Sequence, residues 1–134
     1  MDTQDLTLHL SDTTHEGRHF HVMPIEGKED VLQVTVSGAE EMPVYLTADE
    51  AQILCFTYLF DEGEVIPERL PTLLDNMLRL SVPMPLSALG KIEQHYVVHG
   101  ALATSATYRE IAQELTTLAD NAIDLLEIFE DFLK

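Results

Sequence analysis

The segment that most constrains this chain is its last quarter, "TSATYREIAQELTTLADNAIDLLEIFEDFLK" (residues 104–134). Apolar residues recur at 108, 111, 112, 115, 118, 119, 122, 126, 129 and 133, the three- and four-residue spacing of one helix face. Thr107 followed by Glu110 is a capping box, so a helix is expected from there to the C-terminus. Such a helix holds together only if another element covers its apolar stripe. At ~1.5 Å per residue, about 26 residues reach about 39 Å, beyond the ~28 Å diameter expected of a domain this size. Part of the helix is therefore expected to overhang the monomer. Its last turns carry Leu125, Leu126, Ile128, Phe129, Phe132 and Leu133, an arc wider than one sheet face needs, and a homodimer surface is the expected use.

The rest of the chain supplies the sheet. "HFHVMPI" (19–25) alternates, with Phe20 and Val22 on one side and His19, His21 and Met23 on the other, and Pro24 stops it. "VLQVTVSG" (31–38), after turn chemistry in "EGKED", and "MPVYLTA" (42–48) read as two further strands. The run from Ile53 to Phe60 is ambiguous. "TADE" before it matches a capping box, yet its eight apolar or β-branched positions leave no polar helix face, so a buried strand is expected. A helix is expected over 67–80, with Pro67 in its first turn and Pro71 able to delay its start. Met84, Leu86 and Ala88 alternate as an edge strand, "KIEQ" turns, and "HYVVHGALA" returns beside it. Residues 1–18 offer only Leu6, Leu8 and Leu10 and read as a frayed arm or one edge strand. The expected fold is α+β: one domain over 1–134, an antiparallel β-sheet in the order β-β-β-β-α-β-β-α, with one short helix and the long C-terminal helix packed on it.

Twenty-four acidic residues against seven basic ones give a net charge of −17, which repels phosphate backbones and anionic lipid. Nucleic acid is an unexpected partner, and direct membrane insertion is too, because no apolar run approaches ~20 residues. The charge is uneven: −12 over residues 1–66, zero over 67–106 and −5 over 107–134. A basic partner is expected to meet the first half. Cys55, the single cysteine, sits in the apolar run "ILCFTYLF", which implies a buried, inert thiol and suits a reducing compartment. The start "MDTQDLTLHL" has neither a basic nor an apolar leader region, so the cytoplasm is the expected location.

"HEGRHFH" (15–21) raises a chemical question. His15, His19 and His21 could hold zinc with Glu16, His9 or His95, as three nitrogen or oxygen ligands make a catalytic site. Their spacing argues against it, because no H-x-x-x-H helix or C-x-x-C pair accompanies them and His15 falls in a loop. The cluster remains the alternative reading, a metal-binding protein or metal-dependent hydrolase. The acids around Gly63 lack the calcium-loop arrangement, and no phosphate loop, nucleophile elbow or dinucleotide fingerprint appears. No catalytic residue and no cofactor is expected. "SVPMPLSALGK" (81–91) is more suggestive: two prolines block edge pairing while a methionine leaves an adaptable apolar patch, although a covered edge packing on the core is the plainer expectation for it.

"QILCFTYLFDEGEV", "PERLPTLLDNML", "VPMPLSALGKI", "YVVHGAL" and "LADNAID" resemble the uncharacterised bacterial YjfI-like family, from about residue 30 to the end. The P-M-P-L-S-x-x-G-K-I run is the most specific part. The resemblance carries over no catalytic residue. It does imply a genomic setting beside homologues of phage-shock protein A, a helical membrane-remodelling stress protein. The element order is also similar to the acidic dimeric chaperones of type III secretion and to the YbjN-like fold, although those begin with a helix that this N-terminus does not obviously supply. The combined expectation is a non-enzymatic, homodimeric adaptor or chaperone-like protein. Met84, Leu86, Leu126, Phe129, Phe132 and Leu133 are its expected binding residues, and a phage-shock-protein-A-like coiled coil is its expected partner.

Overall fold

In the computed structural model, which describes residues 3–27 and 31–134, helix α1 (Thr3–Ser11) leads into strands β1 (Thr14–His15), β2 (Arg18–Pro24), β3 (Val31–Val36), β4 (Val44–Ala48) and β5 (Ile53–Asp61). Helix α2 (Leu70–Ser81), strands β6 (Ala88–Ile92) and β7 (His95–Leu102) and helix α3 (Tyr108–Phe129) follow. The strands make one antiparallel seven-stranded sheet in the order β1-β2-β3-β4-β5-β7-β6. The fold is α+β as expected, with α1 and β1 added at the front. The expected "EGKED" turn lies partly outside the described residues.

The ambiguous run at Ile53 is a strand because its alternate side chains have somewhere to go. Ile53, Cys55, Thr57 and Phe60 are buried on one side, with a register shift between Tyr58 and Phe60 keeping the last of them inward. "TADE" caps no helix. Asp49 Oδ1 accepts from the amides of Ala51 and Gln52 at 2.7 and 2.9 Å, closing the β4–β5 turn instead. The Thr107–Glu110 box does cap α3: Thr107 Oγ1 accepts from the Glu110 amide at 3.1 Å, and the Glu110 carboxylate accepts from the Thr107 amide at 3.3 Å.

Helices α1, α2 and α3 lie on one face. Leu6 and Leu10 of α1, Leu73 and Met77 of α2, and Ile111, Leu115, Leu118 and Phe129 of α3 join Phe20, Val34, Leu46, Cys55 and Val98 in a single buried core. Arg18 reinforces this side, its guanidinium donating to Asp120 of α3 at 2.8 Å and to the Ser37 carbonyl at 2.9 Å.

Three expectations are corrected. Within the N-terminal arm the leucines lie on a helix rather than a strand, and the edge strand expected there is confined to β1: Leu6 and Leu10, four residues apart, both bury on one side of α1, and Leu8, which suggested alternation, is 67% exposed. Residues 82–87 form a turn, with β6 beginning only at Ala88. Pro83 and Pro85 remove two ladder donors, and Leu86 adopts a left-handed φ of 58°, so no strand can run through them. Finally, α3 stops at Phe129 after 22 residues and the chain folds back rather than overhanging. The Ile66 amide donates to the Phe132 carbonyl at 2.8 Å and the Lys134 amide to the Glu64 carbonyl at 2.8 Å, making a bridge between Val65 and Leu133.

Candidate functional site

In "HEGRHFH", Glu16 and Gly17 both take positive φ (52° and 80°), the backbone of a tight hairpin turn, so the motif is the β1–β2 hairpin itself. His15 pairs in register with Arg18, whose side chain reaches α3 on the helix side. His19 and His21 alternate with buried Phe20 and Val22 and therefore face the other way. The sheet stands between them. Of the proposed supporting ligands, His9 stacks on Tyr108 at 3.9 Å, and His95 Nδ1 is hydrogen-bonded to Asp61. Among the described residues no group of three or more His, Cys, Asp or Glu side chains is gathered closely enough to hold a metal ion.

The expected binding residues are dispersed. Phe129 is fully buried, and Leu126, Phe132 and Leu133 are half-buried and pack on the core, so the wide apolar arc is largely consumed by the chain's own tail. Leu86 is exposed, on the turn that Asn121 pins to α3 by donating to the Pro85 carbonyl at 3.0 Å and to Ser87 Oγ at 3.1 Å. Met84 is half-buried in a shallow cleft of about 190 Å³ with Leu80, Pro83, Leu125 and Ile128.

A more continuous apolar surface lies on the far flank of α2. Apolar residues wrap too much of this helix for one contact. Leu73 and Met77 bury against the sheet, while Leu74, Leu78 and Val82, spaced one turn apart, stay exposed, Val82 at 87%. Beside them a groove of about 320 Å³ is lined by Leu74, Met77, Leu78, Leu89, Lys91 and Tyr96. Its rim is fixed by Lys91, which sits 3.2 Å from Glu62 and 5.2 Å from the centre of the Tyr96 ring. The neighbouring edge of β6 is partly closed, because Ser81 Oγ accepts from the Leu89 amide at 2.9 Å while donating to the Met77 carbonyl.

Beneath the 82–87 turn lies a buried carboxyl group. Glu114 of α3 is 2% exposed, and its Oε1 has no hydrogen-bond partner. Burial pushes it up to about 7. Gly100 of β7 makes the space: a Cβ there would stand 1.8 Å from Glu114 Oε1 and 2.7 Å from the Leu86 carbonyl oxygen. Cys55 is closed in the same core, and burial first, then the nearby Glu114, raises its thiol far above the ordinary range. A thiol so placed is no nucleophile.

The match to known proteins is with a family model described as an uncharacterized protein conserved in bacteria, DUF2170, and it spans residues 1–133. The chain belongs to the DUF2170 family. The protein YjfI of Escherichia coli K12, itself described as uncharacterized, is 28% identical over 113 residues, covering 81% of this chain and 83% of that protein. The YjfI of E. coli O157:H7 matches to the same extent. The YjfI-like resemblance is thereby confirmed, and the family match also takes in the first 29 residues.

Glu114 escaped the sequence reading, although two signals pointed to it. It falls between Ile111, Leu115 and Leu118 on the apolar stripe, where a carboxylate must bury, and Gly100 is an isolated glycine in a strand, a mark of close approach by a neighbour. Among the described residues no helix is long and apolar enough to cross a membrane.

Proposed function

We propose that this protein is a non-enzymatic binding protein whose groove between α2 and β6 receives an amphipathic helix of a basic protein. The observation that carries this reading is the exposed Leu74, Leu78 and Val82 stripe alongside a groove lined almost wholly by apolar atoms. Helix-in-groove recognition uses such a surface, with anchors at three- and four-residue spacing entering an apolar slot. The net charge of −17, carried mostly by residues 1–66 and not by the neutral stretch that builds the groove, favours a basic partner and speeds its approach, while the groove supplies affinity. A coiled coil of the phage-shock-protein-A kind, in a reducing cytoplasm, is the partner class that the resemblance suggests. The two buried groups that could have carried chemistry, Glu114 and Cys55, are shut away from any substrate.

Titration calorimetry of the full chain against a purified phage-shock-protein-A-like protein tests this. Binding is expected at low salt, weakening as salt rises, and falling at least tenfold in Leu78→Asp, an exposed position that leaves the fold intact. Absence of binding at low salt, or binding indifferent to Leu78→Asp, overturns it.

A further inference from the structure

We propose that the face of the sheet opposite α1, α2 and α3 is where a second copy of this chain docks, two sheets meeting face to face in an isologous dimer. This surface is separate from the α2 groove, and the inference stands without it.

The pairing register defines the face. Met23, Gln33, Tyr45, Phe56, His99 and Ala88 are successive partners across six strands and form one continuous row. Tyr58 and Val97 lie in the next row. The rings are in mutual contact: Tyr45 and Phe56 are 5.6 Å apart, Tyr58 is 5.5 Å from each, and His95 is 5.2 Å from Tyr58. Val97 is only 2% exposed although α1, α2 and α3 pack on the other side and it lies outside the main core, so the face already holds a small apolar cluster of its own. Tyr58 and Met23 remain more than two-fifths exposed.

Charge identifies the occupant. Among the described strand residues on this face, Asp61 at its margin is the one Asp, Glu, Lys or Arg, and it is held by His95. In a chain with 24 acidic residues that gap is specific. Two copies at −17 repel each other wherever their carboxylates meet, and the face poorest in carboxylates is where contact costs least. Carboxylates reach this face only at its margins, with Asp61 at one end and Glu40 beside His19, His21 and Thr35 at another, so a basic partner finds little to pair with there, whereas a second acidic copy meets least repulsion. The size also fits. Seven strands ~4.8 Å apart, each about six residues of ~3.3 Å, present roughly 600 Å² in projection, close to the ~800 Å² per partner of a standard interface. The side chains of this face would interdigitate at the ~10 Å spacing of stacked sheets, related by a two-fold axis.

Light scattering on the full chain at tens of micromolar is the test. The wild type is expected at twice the 15.1 kDa chain mass, and its association is expected to tighten from low to high salt as residual repulsion is screened. Tyr58→Asp is expected to run as a monomer with unchanged circular dichroism. Ala101→Glu, at an exposed position on the same face, adds a negative charge to the contact between two acidic copies and is expected to raise the dissociation constant at least tenfold, which decides the matter if Tyr58→Asp fails to fold. Leu78→Asp leaves the dimer intact. A monomeric wild type overturns the proposal, as does a dimer that survives both sheet-face variants. A dimer lost only through Leu78→Asp also overturns it and places the contact at α2. Salt separates the two proposals, because helix capture by the groove weakens as salt rises while pairing of the sheet faces strengthens.

Discussion

On the helix side of the sheet, Ile53, Cys55, Val98 and their neighbours are closed to solvent, and the groups that break the apolar pattern are either hydrogen-bonded or fitted into a notch. Thr57 donates to the Pro43 carbonyl at 3.0 Å, Thr116 to Ala112, and Glu114 lies over Gly100. On the other side Tyr45, Phe56 and Tyr58 touch one another and stay partly wet. The same strands build both sides, so the difference comes from side-chain choice at alternate positions. The covered side is selected for volume and tolerates almost no added atom. The open side is aromatic and nearly free of charge, and the neighbours that an added atom meets there are side-chain ends rather than backbone.

The two sheet glycines test that contrast most severely. Gly100→Ala drives a methyl group into Glu114 Oε1 and, more seriously, to 2.7 Å from the Leu86 backbone carbonyl, which cannot swing aside like a side-chain end. A loss of roughly 3 kcal/mol is expected, lowering the melting temperature by about 10 °C in a chain of this length. Gly90→Ala, on the open side, meets only the His99 ring at 3.1 Å and a Val97 methyl at 3.9 Å. Its cost should stay within about 1 kcal/mol. Equal effects in thermal melts would end the distinction between a tight face and a loose one.

Glu114 gives the next largest effect and a pH signature. Its carboxyl, ordinarily at 4.5, is raised to about 7 by burial, so the unfolded chain releases this proton at lower pH than the folded one. Its contribution to stability is fully present below pH 4.5, declines between 4.5 and about 7, and is gone above that, a difference of roughly 3 kcal/mol by linkage. Glu114→Gln cannot ionise and should flatten this decline, making the variant more stable than the wild type at pH 8 by roughly 1–2 kcal/mol. Parallel pH profiles of urea stability for the two proteins would show instead that Glu114 is paired in solution.

Capping is a smaller matter. Thr107→Ala removes the acceptor for the Glu110 amide at the start of α3 and should cost about 1 kcal/mol, read from urea midpoints with an unchanged slope.

How much of this was legible follows the same division. Strands with one buried side showed themselves by alternation, and β2, β3, β4 and β5 appeared where Phe20, Val34, Leu46 and Cys55 implied. The capping box at Thr107 worked because a long amphipathic stripe followed it; the same letters at Thr47 failed because the run after Asp49 has no polar face. The N-terminal helix was hidden because Leu6, Leu8 and Leu10 satisfy both a two-residue and a four-residue period, and only the position of the core decides between them. The candidate surface was the least legible part. Met84, Leu86, Leu126 and Phe132 are apolar and neighbour turns or chain ends, but whether such residues cover a core or face water depends on how the chain folds back, here through the Val65–Leu133 bridge. The carboxylate-poor face was latent in the spacing of neutral residues between acidic turns, and it became visible only once the register aligned Tyr45, Phe56 and His99.

The smallest expected effect concerns the charges that decorate the covered side. Arg18 meets both oxygens of Asp120 at 2.8 Å, joining the β1–β2 hairpin to α3 across 102 residues of chain. Asp120 is half exposed, so water screens the pair and the long arginine side chain must be held in one geometry. Arg18 also donates to the Ser37 carbonyl and would keep that bond without its partner. A double-mutant cycle of Arg18→Met and Asp120→Asn should therefore give a coupling of about 0.5 kcal/mol, shrinking in high salt. A coupling above about 2 kcal/mol would mean that the hairpin is fastened to the helix layer by this ion pair rather than by Phe20 and Val22 beneath it, and the covered face would then owe its tightness to charge as well as to volume.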